Sequence, residues 1–221
     1  MMQDSPFPDQ KDAVQRLVAG NQRFSVGQAS HPRQSPHTRT EVAQGQRPFA
    51  AILGCSDSRV APELVFDEGL GDLFVVRVAG HVVGRAVLAS LEMAVENLGI
   101  RLIVVLGHDA CAAVASAVKM FGLGAGGRVH HSWIWDPGLD ATSAMPAGHV
   151  GELAGAIKPA LDEAHVRGGD MLDDAINANI ERTVEQLRTS LPILSQYVVR
   201  HGLRIVGARY NLLSGLVTFR A

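Results

Sequence analysis

Three short, unbroken apolar runs dictate the class of fold: "FAAIL" at 49–53 with Gly54 behind it, "LFVVRV" at 73–78 and "RLIVVLG" at 101–107. Runs of this length without polar alternation read as strands buried on both faces, because a solvated face would impose a period of two. Between the second and third lies "AVLASLEMAVENLG", which sets Val87, Leu91, Ala94, Val95 and Leu98 on one helical face and caps at Gly99. After the third comes "ACAAVASAVKM", helical by its alanine content. Strand, crossover helix and strand in repeated order give a mostly parallel central sheet flanked by helices. With 221 residues, 47% hydrophobic and 19% charged, the chain is expected to form a single α/β domain over 1–221.

Around this core the reading is less regular. "DQKDAVQRLVAGNQRF" places Val14, Leu17 and Val18 at helical spacing with Gly20 as a stop, an amphipathic arm with no evident place on its own sheet and therefore expected to pack on a partner subunit. "SHPRQSPHTR" reads as an extended surface segment, so arm and segment occupy 1–48 and the α/β core 49–221. A loop insertion is expected at about 122–150, where Trp133 and Trp135 sit among many glycines. Its "GLGAGG" has the spacing of a dinucleotide fingerprint but follows a helix instead of a strand, so a loop is the better account. "DDAINANIERTVEQLRTSLPIL" returns to helical spacing through Ile176, Ile180, Val184 and Leu187, and "LRIVGARY" and "GLVTF" read as closing strands around a turn at "NLLSG".

A net charge of -2 and a pI near 6.5 give no electrostatic case for nucleic acid or an anionic membrane surface. No stretch approaches the roughly 18 apolar residues of a membrane span, and "MMQDSPFPDQKD" has neither the basic region nor the apolar block of a signal peptide, which points to the cytoplasm. Two cysteines make no disulfide framework; in a reducing compartment such thiols bind metal, catalyse, or lie inert in the core.

Their positions favour metal. Cys55 and Asp57 fall just past the carboxyl end of one strand in "GCSDSR", and His108 and Cys111 just past another in "GHDACA". Ligands bind at that rim of an open parallel sheet. Two thiolates and an imidazole form a zinc set, leaving the fourth tetrahedral position to water or to Asp57. Taken singly, each part has a plain alternative: a hydrogen-bonded structural histidine, a packing cysteine, a strand-to-loop turn. Both cysteines of the chain falling at one rim is what argues against coincidence.

"CSDSR", "RVAGHVV", "GHDAC" and the terminal "GARYNLLSGLVTF" resemble the β-class carbonic anhydrases, over roughly 15–219. The resemblance implies a zinc enzyme interconverting carbon dioxide with bicarbonate and a proton by attack of zinc-bound hydroxide. It implies Cys55, His108 and Cys111 as ligands, with Asp57 either on the metal or paired with Arg59. Gln46, Phe74, Arg77 and Tyr210 match substrate-pocket positions. A homodimer or homotetramer is implied, with the pocket at the subunit interface so that Gln46 and Phe74 serve a neighbour's zinc. Two departures stand out: Ala112 where the family usually has glycine, and a longer, more glycine-rich 122–150.

The chemistry suits these residues. Zinc lowers the pKa of bound water from about 15.7 to near 7, and two thiolates temper that effect, so activity is expected to rise into mildly alkaline pH. Arg59 can hold the Asp57 carboxylate off the metal with a bidentate fork, making the pair a gate. His81 is a possible proton shuttle or a histidine that satisfies a loop, and His130 and His131 carry no assignment. Two other functions fit the same residues: hydrolysis of carbon disulfide or carbonyl sulfide, and a binding module around a structural zinc with Asp57 as permanent fourth ligand.

Overall fold

The apolar runs become neighbouring strands whose carboxyl ends open on one rim. A computed structural model describes residues 10–123 and 148–220. β1 (Ala50–Gly54), β2 (Leu73–Arg77), β3 (Leu102–His108) and β4 (Arg204–Tyr210) are parallel, and β5 (Val217–Arg220) closes the sheet antiparallel to β4, in the order β2-β1-β3-β4-β5. Every residue of β1 and β3 is buried, as expected of unbroken apolar strands, but β2, expected to be buried likewise, is partly exposed along its length and exposed at Arg77, because it lies at the edge of the sheet.

Alternate residues feed two cores. Ala51, Leu53, Ile103, Val105 and Ile205 face a layer built from α4 (Arg85–Asn97), α5 (Ala112–Met120), α6 (His149–Arg167) and α7 (Met171–Arg188). Ala50, Ile52, Leu102, Val104, Leu106 and Val206 face the other, covered by α1 (Gln10–Ser25) and α3 (Pro62–Val65) with Phe66. The seating of α7 is close: a Cβ on Gly107 of β3 would lie 2.5 Å from Ile180, and one on Gly207 of β4 would lie 2.8 Å from it. Glycine at both strand positions lets the helix backbone settle onto the sheet.

Several expectations are corrected. Gly20 does not stop α1, which continues to Ser25; it is there because a Cβ would lie 1.8 Å from the Phe66 carbonyl oxygen. Nor does α1 lack a place on its own sheet, since Ala13 and Leu17 are buried in the second core. The supposedly extended "SPHT" opens α2 (Pro36–Val42), with the Ser35 hydroxyl accepting from Thr38 N–H at 3.1 Å and proline in the first turn. α6 begins at His149, at the far edge of the loop expected at about 122–150; residues 124–147, including "AGG", His130, His131, Trp133 and Trp135, lie outside the described residues. α6 escaped the periodicity reading because its buried stripe is largely alanine, at 154, 160 and 164. α8 (Leu194–Arg200), a two-turn helix after Pro192, was also unforeseen.

Asp67 ties the N-terminal segment to this layer. Its side chain is fully buried, accepts from Ser30 N, Ser30 Oγ and His31 N, each at 2.9 Å, and pairs with Arg23 Nε at 2.6 Å. Burial pushes the carboxyl up, but these donors outweigh it and hold it well below the usual carboxylate range. A carboxylate depressed in the folded state contributes stability above its unfolded value, about 3.9, that is lost as pH falls toward the folded value. Denaturant midpoints should therefore drop steeply below about pH 4. Asp67→Asn should flatten that slope and cost about 3 kcal/mol at pH 7.

Candidate metal centre

β1 and β3 are adjacent and parallel, so the residues just beyond them share one rim. Cys55 follows Gly54 directly, His108 is the last residue of β3, and Cys111 caps α5 after a turn in which Ala110 takes φ 50. The structure brings all three together: they are buried, their Sγ atoms lie 3.9 Å apart, and one ligand atom from each falls within 4.8 Å of the others. Ala112 is the first helical residue of α5 and is absent from the positive-φ positions, so this conformation does not require the glycine usual in the family.

The polar inventory at this point is incomplete without a cation. His108 Nδ1 donates to the Asp109 carbonyl at 2.8 Å, which leaves Nε2 as a lone pair; that atom is buried with no hydrogen-bond partner among the described residues. Buried acceptors are rarely left so. The contact between the two sulfurs leads in driving Cys55 down to about 3, against burial, and leads in pushing Cys111 well above the usual thiol value. Two adjoining sulfurs and a bare imidazole nitrogen are the donor set zinc takes.

Asp57 stands beside this set, turned toward Arg59. Arg59 Nε meets Oδ1 at 2.9 Å and Nη2 meets Oδ2 at 2.7 Å, with the Arg59 backbone N–H adding a third bond to Oδ1 at 2.9 Å. The arginine hydrogen bond leads in lowering Asp57 to about 2, and burial opposes it. Oδ2 lies 3.9 Å from His108 Nε2, too far for a hydrogen bond but at the edge of the ligand cluster.

The other expected positions divide. Arg77, at the end of β2, donates from Nε to the Cys55 carbonyl at 2.9 Å and from Nη2 to the Asp57 carbonyl, so it holds the ligand loop. Phe74 is partly buried on β2 and packs on the core that contains Cys55 and Cys111. Gln46 is exposed in the connection from α2 to β1. Tyr210 is not brought to the sulfurs: its ring packs in the other core, 6.4 Å from the Phe24 ring, because β4 alternation points it there, and only its carbonyl reaches the ligand turn, accepting from Asp109 N at 3.0 Å. His81 is 2% exposed, and burial pushes it down to about 4, so it is a neutral core histidine and not a group that exchanges protons with solvent.

Sequence reasoning missed Arg209. It donates to Asp109 Oδ1 at 2.7 Å, to Asn177 Oδ1 at 2.8 Å and to Asp173, while Asn211 Nδ2 holds Asp109 Oδ2 at 2.6 Å. Asp109 is thereby fixed, and with it the carbonyl that orients His108. The available signal was a charged residue inside a stretch read as a closing strand.

The family model for carbonic anhydrase matches residues 50–217. Carbonic anhydrase 2 of Mycobacterium tuberculosis is 38% identical over 208 residues, covering 94% of this chain and 91% of the relative. The carbonic anhydrase of Mycolicibacterium smegmatis is 37% identical over 209 residues, covering 95% and 92%. Among solved structures, the β-carbonic anhydrase CcaA has a TM-score of 0.63 at 28% identity, covering 95% of each chain. A tetrameric β-carbonic anhydrase from Sordaria macrospora has a TM-score of 0.67 at 21% identity, covering 94% of this chain and 96% of that one, a likeness of fold. Among the described residues no helix is long and apolar enough to cross a membrane. The matched region spans both halves of the rim on which the two sulfurs and the imidazole meet, and the chain belongs to the β-class carbonic anhydrase family, a family of lyases.

Proposed function

We propose that this protein catalyses the reversible hydration of carbon dioxide to bicarbonate and a proton, with zinc held by Cys55, His108 and Cys111. The observation that carries the reading is the convergence of two sulfurs, 3.9 Å apart, on a buried imidazole nitrogen with no hydrogen-bond partner among the described residues. Zinc bound there supplies a water whose pKa falls from about 15.7 to near 7. Asp57 stays ionised under the Arg59 fork and offers Oδ2 to orient the attacking water. Arg77 keeps the Cys55–Asp57 loop in register, and Phe74 gives carbon dioxide an apolar wall. We assign Gln46 to the pocket of a neighbouring subunit in a homodimer or homotetramer. We assign Tyr210 to anchoring the ligand turn through its carbonyl. Chain 1–221 is taken as one domain, working in the cytoplasm.

The turned-away Asp57 speaks against a closed structural zinc, which would need that carboxylate as fourth ligand. Elemental analysis combined with stopped-flow hydration above pH 8 tests the reading. One zinc per chain with turnover rising into alkaline pH is expected; zinc without hydration removes the activity, and no zinc removes the centre.

The gate has its own test. Arg59→Ala should release Asp57 to occupy the fourth position and lower turnover by about 10- to 100-fold at unchanged zinc content. Full turnover in that variant at pH 8 would refute the gating role.

A further inference from the structure

The backbone beside Cys55 is held in an unusual shape. In the 3₁₀ turn Ala79–His81, Gly80 takes φ 62 and His81 takes φ 45, two successive left-handed residues of which the second carries a buried ring. Such a turn persists only where its surroundings over-determine it. What the turn achieves is specific: it aims the Gly80 N–H at Cys55 Sγ, 3.3 Å away.

The hold comes from α7. Asn179, 6% exposed, donates from Nδ2 to the Gly80 carbonyl at 3.0 Å, and the same nitrogen lies 3.1 Å from His81 Nε2. With Nε2 accepting, the His81 proton sits on Nδ1, a buried atom without a partner among the described residues. Asn179 sits in the apolar stripe of α7 between Ile176 and Ile180, where a polar side chain is kept only if it is satisfied. The glycines at 107 and 207 let α7 come close enough for it to reach.

We infer that Asn179 is a positioning residue for the metal centre: it clamps the 79–81 turn so that the Gly80 N–H stays on the Cys55 sulfur and limits the electron density that thiolate gives the ion. The inference rests on the zinc reading above. A hydrogen bond to a ligand sulfur tunes the metal from outside the ligand set, and loss of such a partner typically weakens metal affinity about 10- to 100-fold.

The test uses the whole protein loaded with cobalt. Asn179→Leu, which removes the donor at similar size, should move the sulfur-to-cobalt charge-transfer band to longer wavelength. It should also weaken zinc retention against a chromophoric chelator by about 10- to 100-fold, because the released 79–81 turn no longer holds the Cys55 sulfur in place, a loss that outweighs the sulfur's stronger donation. An unmoved band with a lowered melting temperature would make Asn179 structural only and overturn the inference. Should that variant fail to fold, unaltered protein loaded with NMR-active cadmium decides: scalar coupling between the Gly80 amide proton and the metal supports the inference, and its absence overturns it. Failure of the unaltered protein to take up one metal per chain overturns the zinc reading and this inference together.

Discussion

Cys111→Ala is expected to leave the protein folded but without stoichiometric zinc, and to lower carbon dioxide hydration by at least about a thousandfold. Cys111 is the residue whose loss does most, because we assign it to the ligand set and its sulfur lies 3.9 Å from that of Cys55. Without it Cys55 and His108 remain as two donors, short of the three a catalytic zinc needs. A thermal readout separates metal loss from misfolding. A metal that binds only the folded chain stabilises it by mass action, so a chelator should lower the melting temperature of the unaltered protein and leave that of Cys111→Ala in place. Full zinc content with full turnover in the variant would mean that the ligand set is not the one proposed.

Gly20→Ala should be the most damaging small change far from the rim. The added methyl would lie 1.8 Å from Phe66 O and 2.8 Å from Phe66 C, backbone atoms that cannot turn aside as a side chain would. To make room, α1 must withdraw from residues 65–67. That strains the Asn21 bonds to Val65 O at 3.0 Å, Gly215 O at 2.8 Å and Val217 N at 2.8 Å, together with the Arg23–Asp67 pair. Overpacking and the loss of buried hydrogen bonds together should cost about 3 kcal/mol, more than the roughly 1 kcal/mol that alanine gains over glycine in a helix. For a chain of this size the net loss of about 2 kcal/mol is a fall of about 4–8 °C in melting temperature by calorimetry. Gly155 in α6 is the control: a Cβ there meets nothing within 4 Å, so Gly155→Ala should be neutral or slightly stabilising. A Gly20→Ala melting temperature at or above that of the unaltered protein would show that α1 does not sit as described.

What could be read without coordinates follows from local pattern. "FAAIL" and "RLIVVLG" announce buried strands because burial on both faces removes polar alternation, whereas "LFVVRV" carries the same pattern into an edge strand that is only half-buried; the stripe through Val87, Leu91, Ala94 and Val95 announces α4 because a helix must turn one face inward. The ligand set was legible for a related reason: a strand's end is a place, and both cysteines and His108 stand at strand ends. α6 was harder, since an alanine stripe differs little in hydrophobicity from its flanks, and Gly20 misled because glycine signals a helix end and a close approach with the same letter.

By itself, then, the order of residues determined the parallel sheet, its flanking helices and which three side chains would meet at its rim, all consequences of periodicity and of strand ends in sequence. Only the tertiary structure decided that Asp57 turns to Arg59, that Tyr210 faces the other core, and that Asn179 and Arg209 brace the ligand loops across 98 and 100 residues of chain. The reason is that periodicity is a property of neighbours, whereas each of those contacts depends on how closely α7 and β4 settle against segments that are remote in the chain.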